Sequence, residues 1–418
     1  MPPSEGGRRR MPPRFTLRGV AISLALVATV VVGGGAMLDR IAVNDDPEAD
    51  ELAEAALLPS LPAIPLDFDG VPLDAYLGDM LPPAERDALL ASSLLADSAF
   101  TSRVHWWVRY WTGPAREWFP DFLSRMAWLG TSVDSALATH GFPPSLRYLP
   151  LIESGYAPGV TSSASAVGLW QLMAPTARGL GLEVTPLLDE RRDFERSTDA
   201  ALRYLGELQN EFDSWFFALA AYNTGPTRVR RLLQREAPGV PRTDSLFWAL
   251  RDQFSSETRD FVPKLYGAMW VASRPEAYGY EVPERDPIAF DVVRVPDQTT
   301  LDVVARAAGV SHEEISRLNH RFVRGITPPD RPVSVRVPEG SGGSFAALYA
   351  LIPTEERVTF VEHVVSEGET LDGIAIRYGV PTAEIEAANP GLEPRRLTVG
   401  ATLTVPVAPS AQTGVDDS

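Results

Sequence analysis

The run Leu146-Arg147-Tyr148-Leu149-Pro150-Leu151-Ile152-Glu153-Ser154-Gly155-Tyr156 reads as a short buried helical segment that ends on an acid. Pro143-Pro144 stops the helix before it and suits the start of the next. Residues 145–154 are therefore expected to be helical, with Pro150 breaking the bonding locally. Leu149, Leu151 and Ile152 make the segment largely apolar, so Glu153 emerges from greasy surroundings at its C-terminal end. Desolvation disfavours the ionised carboxyl there, and the negative end of the helix dipole does the same. Both push the pKa upward, which a general acid working at neutral pH needs. A Glu at a helix end is also commonly salt-bridged or solvated, so position alone does not assign it to catalysis.

Outward from this run the pattern stays helical from Pro83 to about Arg274. Residues 84–100, 118–139, 198–212 and 215–222 place apolar side chains at three- and four-residue intervals, the spacing of one helix face. All nine tryptophans fall within this region, which predicts a helical core domain. Most of them are packing residues, although flat aromatic walls also suit carbohydrate clefts. Asp189, Glu190 and Asp193 tempt one to name a second catalytic carboxylate; their alternation with Arg191 and Arg192 reads instead as a salt-bridged loop.

From Asp286 the texture changes to short alternating apolar runs with an internal repeat. Nine of the twenty positions in 300–319 match 370–389 at a constant offset of 70, among them Thr300-Leu301-Asp302 with Thr370-Leu371-Asp372, and Asn319 with Asn389. A gapless offset predicts two copies of one small module, each a strand, two short helices and a second strand. In the second copy these are residues 362–365, 370–378, 382–389 and 402–405.

The N-terminus addresses the chain. Six Arg against Glu5 and Asp39 leave residues 1–40 at +4, so residues 41–418 carry −21 of the net −17. Arg8, Arg9, Arg10, Arg14 and Arg18 precede an uncharged run over 19–38, long enough to span a bilayer core. Arginines on the near side keep that end cytoplasmic and predict export of the rest. The run reads as a membrane anchor, or as a signal cleaved near Gly33-Gly34-Gly35-Ala36. So acidic a body lacks the basic footprint that phosphates require, which argues against nucleic acid as a partner. Without any Cys, disulfides, thiolate metal sites and cysteine nucleophiles are excluded. The five scattered His do not make a metal site, and no cofactor is expected.

Four motifs stand in order: Glu153-Ser154-Gly155-Tyr156; Thr161-Ser162-Ser163-Ala164-Ser165-Ala166-Val167-Gly168-Leu169-Trp170-Gln171-Leu172-Met173; Ala221-Tyr222-Asn223-Thr224-Gly225; and Glu257-Thr258-Arg259-Asp260-Phe261-Val262-Pro263-Lys264. Together they resemble the lytic transglycosylase domain of the lysozyme-like superfamily, in particular the membrane-bound lytic murein transglycosylase D family. The resemblance runs from about Val104 through Tyr280. The repeated modules resemble LysM domains, which bind N-acetylglucosamine-containing glycans. The second copy matches well through His363-Val364-Val365, Gly368-Glu369-Thr370-Leu371 and Asn389-Pro390. In the first, Asp297-Gln298 replaces the usual Gly-Glu/Asp turn, which puts its glycan binding in doubt.

The expected fold class is α+β: a mainly α lysozyme-like domain followed by two small βααβ modules. The expected organisation is an anchor or signal over 1–40, an acidic Pro-rich spacer over 41–83, the transglycosylase domain over 84–285, a degenerate LysM-like module over 286–338, a linker over 339–359, a LysM module over 360–408 and a disordered tail over 409–418. The spacer is expected to hold a short helix around 50–58.

The resemblance implies a peptidoglycan lytic transglycosylase with Glu153 as its single acid and base. Glycosidases that use water generally need two carboxyl groups, and here the family pattern supplies one. Glu153 would protonate the glycosidic oxygen between N-acetylmuramic acid and N-acetylglucosamine, aided by the muramyl acetamido group. It would then take the proton of the same sugar's C6 hydroxyl as a 1,6-anhydro ring closes. Ser162, Gln171 and Met173 are implied to line the cleft. Tyr222 and Asn223 are implied to contact substrate, with helix capping by Asn223 as the rival role. Glu257 is implied to orient the last helix. Where the family's fourth motif commonly carries Tyr, this chain has Phe261, and Tyr156 or Tyr222 could supply the missing hydroxyl. The implied partners are peptidoglycan glycan strands and, through residues 19–38, the cytoplasmic membrane, with the working domains on its outer side in the periplasm. Two rivals stay open: a goose-type lysozyme-like hydrolase on the same fold, and a non-catalytic peptidoglycan-binding scaffold.

Overall fold

A computed structural model of the chain describes residue 81 and residues 86–406, apart from 88, 90, 91, 330 and 390. The expected anchor or signal, the 50–58 helix with almost all of the spacer, and the C-terminal tail lie outside the described residues. No helix among the described residues is long and apolar enough to cross a membrane.

The first long helix, α1, spans Ser98–Thr112 and is started by Asp97, whose carboxylate accepts from the amides of Ala99 and Phe100 at 2.8 and 3.0 Å. A single helix over residues 84–100 was the expectation, and the structure corrects it. Ser93 turns left-handed at φ 60°, residues 94–96 form a 3₁₀ turn, and Asp97 opens a new helix. Once the chain turns at Ser93, the first amides of the new helix lose carbonyl partners, and the Asp97 carboxylate satisfies two of them. Helix α2, Phe119–His140, ends on the left-handed Gly141. The segment bearing Glu153 is a 3₁₀ turn over Pro144–Tyr148 followed by α3, Leu149–Ser154. Pro150 lies in the first turn of α3, where its missing N–H has no helical partner to lose, so it starts the helix instead of breaking it.

The helical domain continues with α4 (Ala174–Gly179), α5 (Phe194–Phe212), α6 (Trp215–Thr224), α7 (Pro226–Glu236), α8 (Asp244–Ala249) and α9 (Ser256–Ser273). Its core joins α1 to α9. Phe100, Val104, Val108 and Trp111 are fully enclosed with Ala268, Met269, Trp270 and Val271. Burying each large aliphatic or phenyl side chain contributes about 1.5–3 kcal/mol.

The C-terminal third is two antiparallel hairpins, each carrying two helices. The first module has β1 (Phe290–Val295), α10 (Leu301–Ala308), α11 (His312–Leu318) and β2 (Val333–Pro338), with Phe290 opposite Pro338 and Val295 opposite Val333. After α12 (Phe345–Ala350), the second has β3 (Phe360–Val364), α13 (Leu371–Tyr378), α14 (Thr382–Ala388) and β4 (Thr402–Pro406). The repeated asparagines explain themselves. Asn319 Nδ2 donates to the carbonyls of Ile315 and Arg336, and its Oδ1 accepts the Arg336 amide at 2.9 Å. Asn389 does the same with Ile385 and Thr404. In both copies one amide clamps the second helix to the second strand.

The segment between the modules is structured. Phe345 and Tyr349 of α12 are buried in the first module's core, and the Tyr349 hydroxyl lies 2.5 Å from both Thr299 Oγ1 and Asp297 Oδ1. The first module is also fastened to the helical domain. Leu188 bridges to Phe322, the Asp189 amide donates to the Arg321 carbonyl at 2.9 Å, and Phe194 meets the edge of Phe290.

Candidate active site

Glu153 is the penultimate residue of α3 and is half-buried. Its neighbour Ser154 points the other way, donating to the Leu169 carbonyl at 2.8 Å, which ties α3 to the loop that follows. Gly155 ends the helix at φ 58°, and a Cβ there would sit 2.5 Å from the Phe122 ring. Only glycine lets the chain turn so close to α2.

The loop over residues 157–173 is held from inside. Ser162 closes its tip: its hydroxyl accepts the Ala166 amide at 3.0 Å, and its own amide donates to the Ala166 carbonyl at 2.9 Å. Gln171 adopts φ 48° and its Nε2 donates to the Gly168 carbonyl at 2.8 Å. Gly168, at φ 85°, passes so close to the Arg191 carbonyl that a Cβ would lie 1.9 Å from that oxygen. Met173, just before α4, is 43% exposed, and core filling is not its role.

Tyr222 and Asn223 sit in the last turn of α6, which ends at Gly225. The Tyr222 hydroxyl donates to the Trp170 carbonyl at 2.6 Å, fixing the loop bearing Gln171. Burial raises the Tyr222 phenol well above its ordinary pKa, and the charge of Glu153 adds to the shift, which sets that carboxylate close by. Asn223 is helical and does not cap by a left-handed turn. Its Nδ2 donates to Glu257 at 2.8 Å, and its Oδ1 accepts the Thr258 hydroxyl at 2.7 Å. Together these bonds join α6 to the first turn of α9.

Phe261 is buried and carries no hydroxyl. Neither candidate replacement has a proton to give: Tyr156 donates to the Arg147 carbonyl at 2.6 Å, and Tyr222 to Trp170. The polar group that α9 does bring to Glu153 is Lys264, which the sequence reading passed over. Burial lowers its ammonium pKa, opposed by the charges of Glu153, Glu257 and Asp260, and its Nζ lies 5.6 Å from the centre of the Trp107 ring. The signal was available: Glu257 and Lys264 are seven residues apart, on one helix face.

The other acids of the region are engaged. Asp189 takes a two-pronged hydrogen bond from Arg191 at 2.9 and 2.8 Å, and Glu190 pairs with Arg196 at 2.7 Å. Asp193 meets Arg336 and Arg321 of the first module at 2.8 and 2.9 Å. Asp260 is held by Arg103 at 2.8 Å. Among the described residues no cluster of His, Asp and Glu could hold a metal ion.

Residues 134–239 match the family described as Transglycosylase SLT domain. Residues 289–354 match the LysM-like domain of lytic transglycosylase MltD, and residues 363–406 match the LysM domain. The first of these module boundaries takes in α12, in keeping with its burial. The chain is 31% identical over 303 residues to membrane-bound lytic murein transglycosylase D of Escherichia coli (strain K12), and matches the protein of that name from E. coli O6:H1 equally. The match covers 69% of this chain and spans 64% of the relative's own length. Among solved structures, the 70 kDa soluble lytic transglycosylase SLT70 of E. coli is 24% identical, with a TM-score of 0.31 and coverage of 44% of this chain and 32% of that one. The SLT match leaves out α1 and α9, yet both pack into the same core as the residues it covers.

Proposed function

We propose that this chain is a lytic transglycosylase that cleaves the β-1,4 bond between N-acetylmuramic acid and N-acetylglucosamine in peptidoglycan, leaving a 1,6-anhydro end. Glu153 is its single acid and base. The carboxylic acid gives its proton to the glycosidic oxygen as the C1–O bond breaks, and the departing sugar keeps that proton as a hydroxyl. The muramyl acetamido oxygen shields the cationic C1. The Glu153 carboxylate then takes the C6 hydroxyl proton while that oxygen bonds to C1, which restores the acid. A nucleophile tethered to the reacting sugar has a large effective concentration and needs no activated water.

The observation that carries this reading is the place of Glu153, at the end of the buried helix α3, where its charge acts on both Tyr222 and Lys264. Asp189, Glu190, Asp193 and Asp260 are each ion-paired elsewhere, and Glu257 holds Asn223. A water-using glycosidase would want a second carboxylate. Ser162, Gln171, Met173, Tyr222 and Asn223 form the wall around it, the exposed Met173 and the loop tip at Ser162 meeting substrate directly. Tyr222 and Asn223 act chiefly by holding the wall in place.

The second module is the glycan holder. Its loop over residues 366–370 is open to solvent and shaped by Glu369, which accepts the Ser366 amide at 2.8 Å, lies 2.7 Å from His363 Nε2 and pairs with Arg377 at 2.8 Å. The corresponding Thr299 and Thr300 of the first module are fully buried beneath Tyr349 and Arg357, which leaves no room for a sugar. Residues 19–38 would anchor the chain to the cytoplasmic membrane, or serve as a signal that exports it into the periplasm.

The test is digestion of purified sacculi with mass analysis. The native chain should release 1,6-anhydromuropeptides, one water lighter than hydrolysis products, and Glu153→Gln should abolish release while still binding sacculi. Reducing-end products would make the enzyme a hydrolase, and unchanged turnover in the variant would remove Glu153 from catalysis.

A further inference from the structure

The second site lies where the helical domain and both modules meet. A cavity of about 640 Å³ opens there, with Gly159 and Arg192 on one side, His312, His320 and Arg324 on another, and Phe360 at the start of the second module. Its position bears on the reaction. Gly159 is six residues past Glu153, in the loop leading to Ser162. Arg192 ties that loop down, donating to the Gly159 carbonyl and, at 2.8 Å, to Thr161 Oγ1.

The walls carry several hydrogen-bond donors. His312 lies 3.0 Å from Ser316 Oγ and is otherwise exposed. Arg324 reaches across to Glu362 of the second module. Arg192 Nε makes no hydrogen bond among the described residues but lies 3.9 Å from Asp189 Oδ2. The cavity's own carboxylate, Asp302, already accepts the Thr359 hydroxyl at 3.1 Å. Arg192 lies 3.9 Å from Asp189, Arg324 pairs with Glu362, and burial keeps His320 hard to protonate, so the donors left to a ligand are the imidazole N–H groups and the guanidinium N–H groups these carboxylates do not use. They fit a ligand of carbonyl and carboxylate oxygens, because charged donors bind carboxylates with short, strong hydrogen bonds. The Phe322 and Phe360 rings supply flat apolar wall.

We propose that this cavity binds a carboxylate-bearing peptide stem of the glycan strand whose sugar lies at Glu153. The proposal rests on the peptidoglycan reading above and adds to it: the junction reads the peptide while the cleft reads the sugar. The first module, unable to take a glycan in its own loop, would contribute to substrate choice through His312, His320 and Arg324.

The experiment measures binding apart from turnover. The full chain bearing Glu153→Gln is titrated calorimetrically with a GlcNAc–MurNAc disaccharide-tetrapeptide and with the same disaccharide lacking the peptide. The peptide form should bind about tenfold tighter, the worth of one charge-assisted hydrogen bond. Adding His312→Ala, an exposed change that leaves the fold intact, together with Arg324→Gln should remove that preference without altering affinity for the bare disaccharide. Equal affinity for the two ligands, or a preference that survives both substitutions, would overturn the proposal. Failure of native enzyme to cut either stem-bearing or stem-free strands would instead sink the activity, and the binding comparison would still report on the cavity.

Discussion

Asp193 caps one domain and grips another with the same carboxylate. Its Oδ1 accepts the Glu195 and Arg196 amides that open α5, at 3.2 and 3.1 Å, while both its oxygens bond the Arg336 guanidinium of the first module at 2.8 and 3.0 Å. The side chain is wholly enclosed, and Arg336 lies against the Phe194 and Phe290 rings at 4.5 and 5.2 Å. Removing one partner of such a pair strands a buried charge, at a cost of about 3–5 kcal/mol. Asp193→Ala should therefore loosen the module from the helical domain, seen as a single thermal transition splitting into two.

Acid should weaken this junction in a defined order. Burial and then the charge of Arg192 lower the pKa of His320, so the folded protein resists a proton that the unfolded chain accepts near 6.5. Stability from that difference is present above pH 6.5 and is lost as pH falls through it. For Asp193, burial alone would raise the pKa, but the Arg336 hydrogen bonds and charge, with Arg321, win and lower it below 3.8. Its contribution stays intact until pH falls beneath 3.8. Melting temperature against pH should thus show a modest step below 6.5, absent in His320→Gln, and a larger collapse below 3.8.

The Gly168 turn tolerates no side chain. With φ at 85° and the Arg191 carbonyl occupying the place of a Cβ, Gly168→Ala must displace the loop bearing Ser162 and Gln171. The expected cost is about 1–3 kcal/mol for the strained backbone alone. Turnover of sacculi should fall far more than affinity for chitin oligomers, which reports on the second module.

Lys264 sets a different test. Its ammonium beside Glu153 favours the ionised carboxyl. Lys264→Met removes that cation, so the alkaline limb of the kcat/KM profile should move to higher pH. A profile of unchanged shape would show that the lysine only packs against Trp107.

Much of this was legible in the residues. The gapless repeat fixed the second module's helices and strands to within two residues at every end, because turn residues and alternating valines speak locally. The acidic loop also read correctly as ion-paired in character. Its partners did not: Arg321 and Arg336 lie more than a hundred residues further on, and no local pattern announces a contact between domains. The helix expected over 84–100 missed most of α1 because the apolar spacing runs through Ser93, and only the Asp97 cap marks the start of α1. The Asn223–Glu257–Thr258 cluster lay hidden for the same reason, as a helix-end asparagine looks alike whether it caps its own helix or secures a neighbour.

The covering of Thr299 by α12, and of Thr300 by Arg357 after it, makes the two repeats non-interchangeable, despite the residues they share. One copy has become masonry, its strands cut to fit the helical domain; the other still has an open hand. A chimera built by swapping them would lose Arg336 where Asp193 waits for it, and would misfit at the first joint before any sugar was offered.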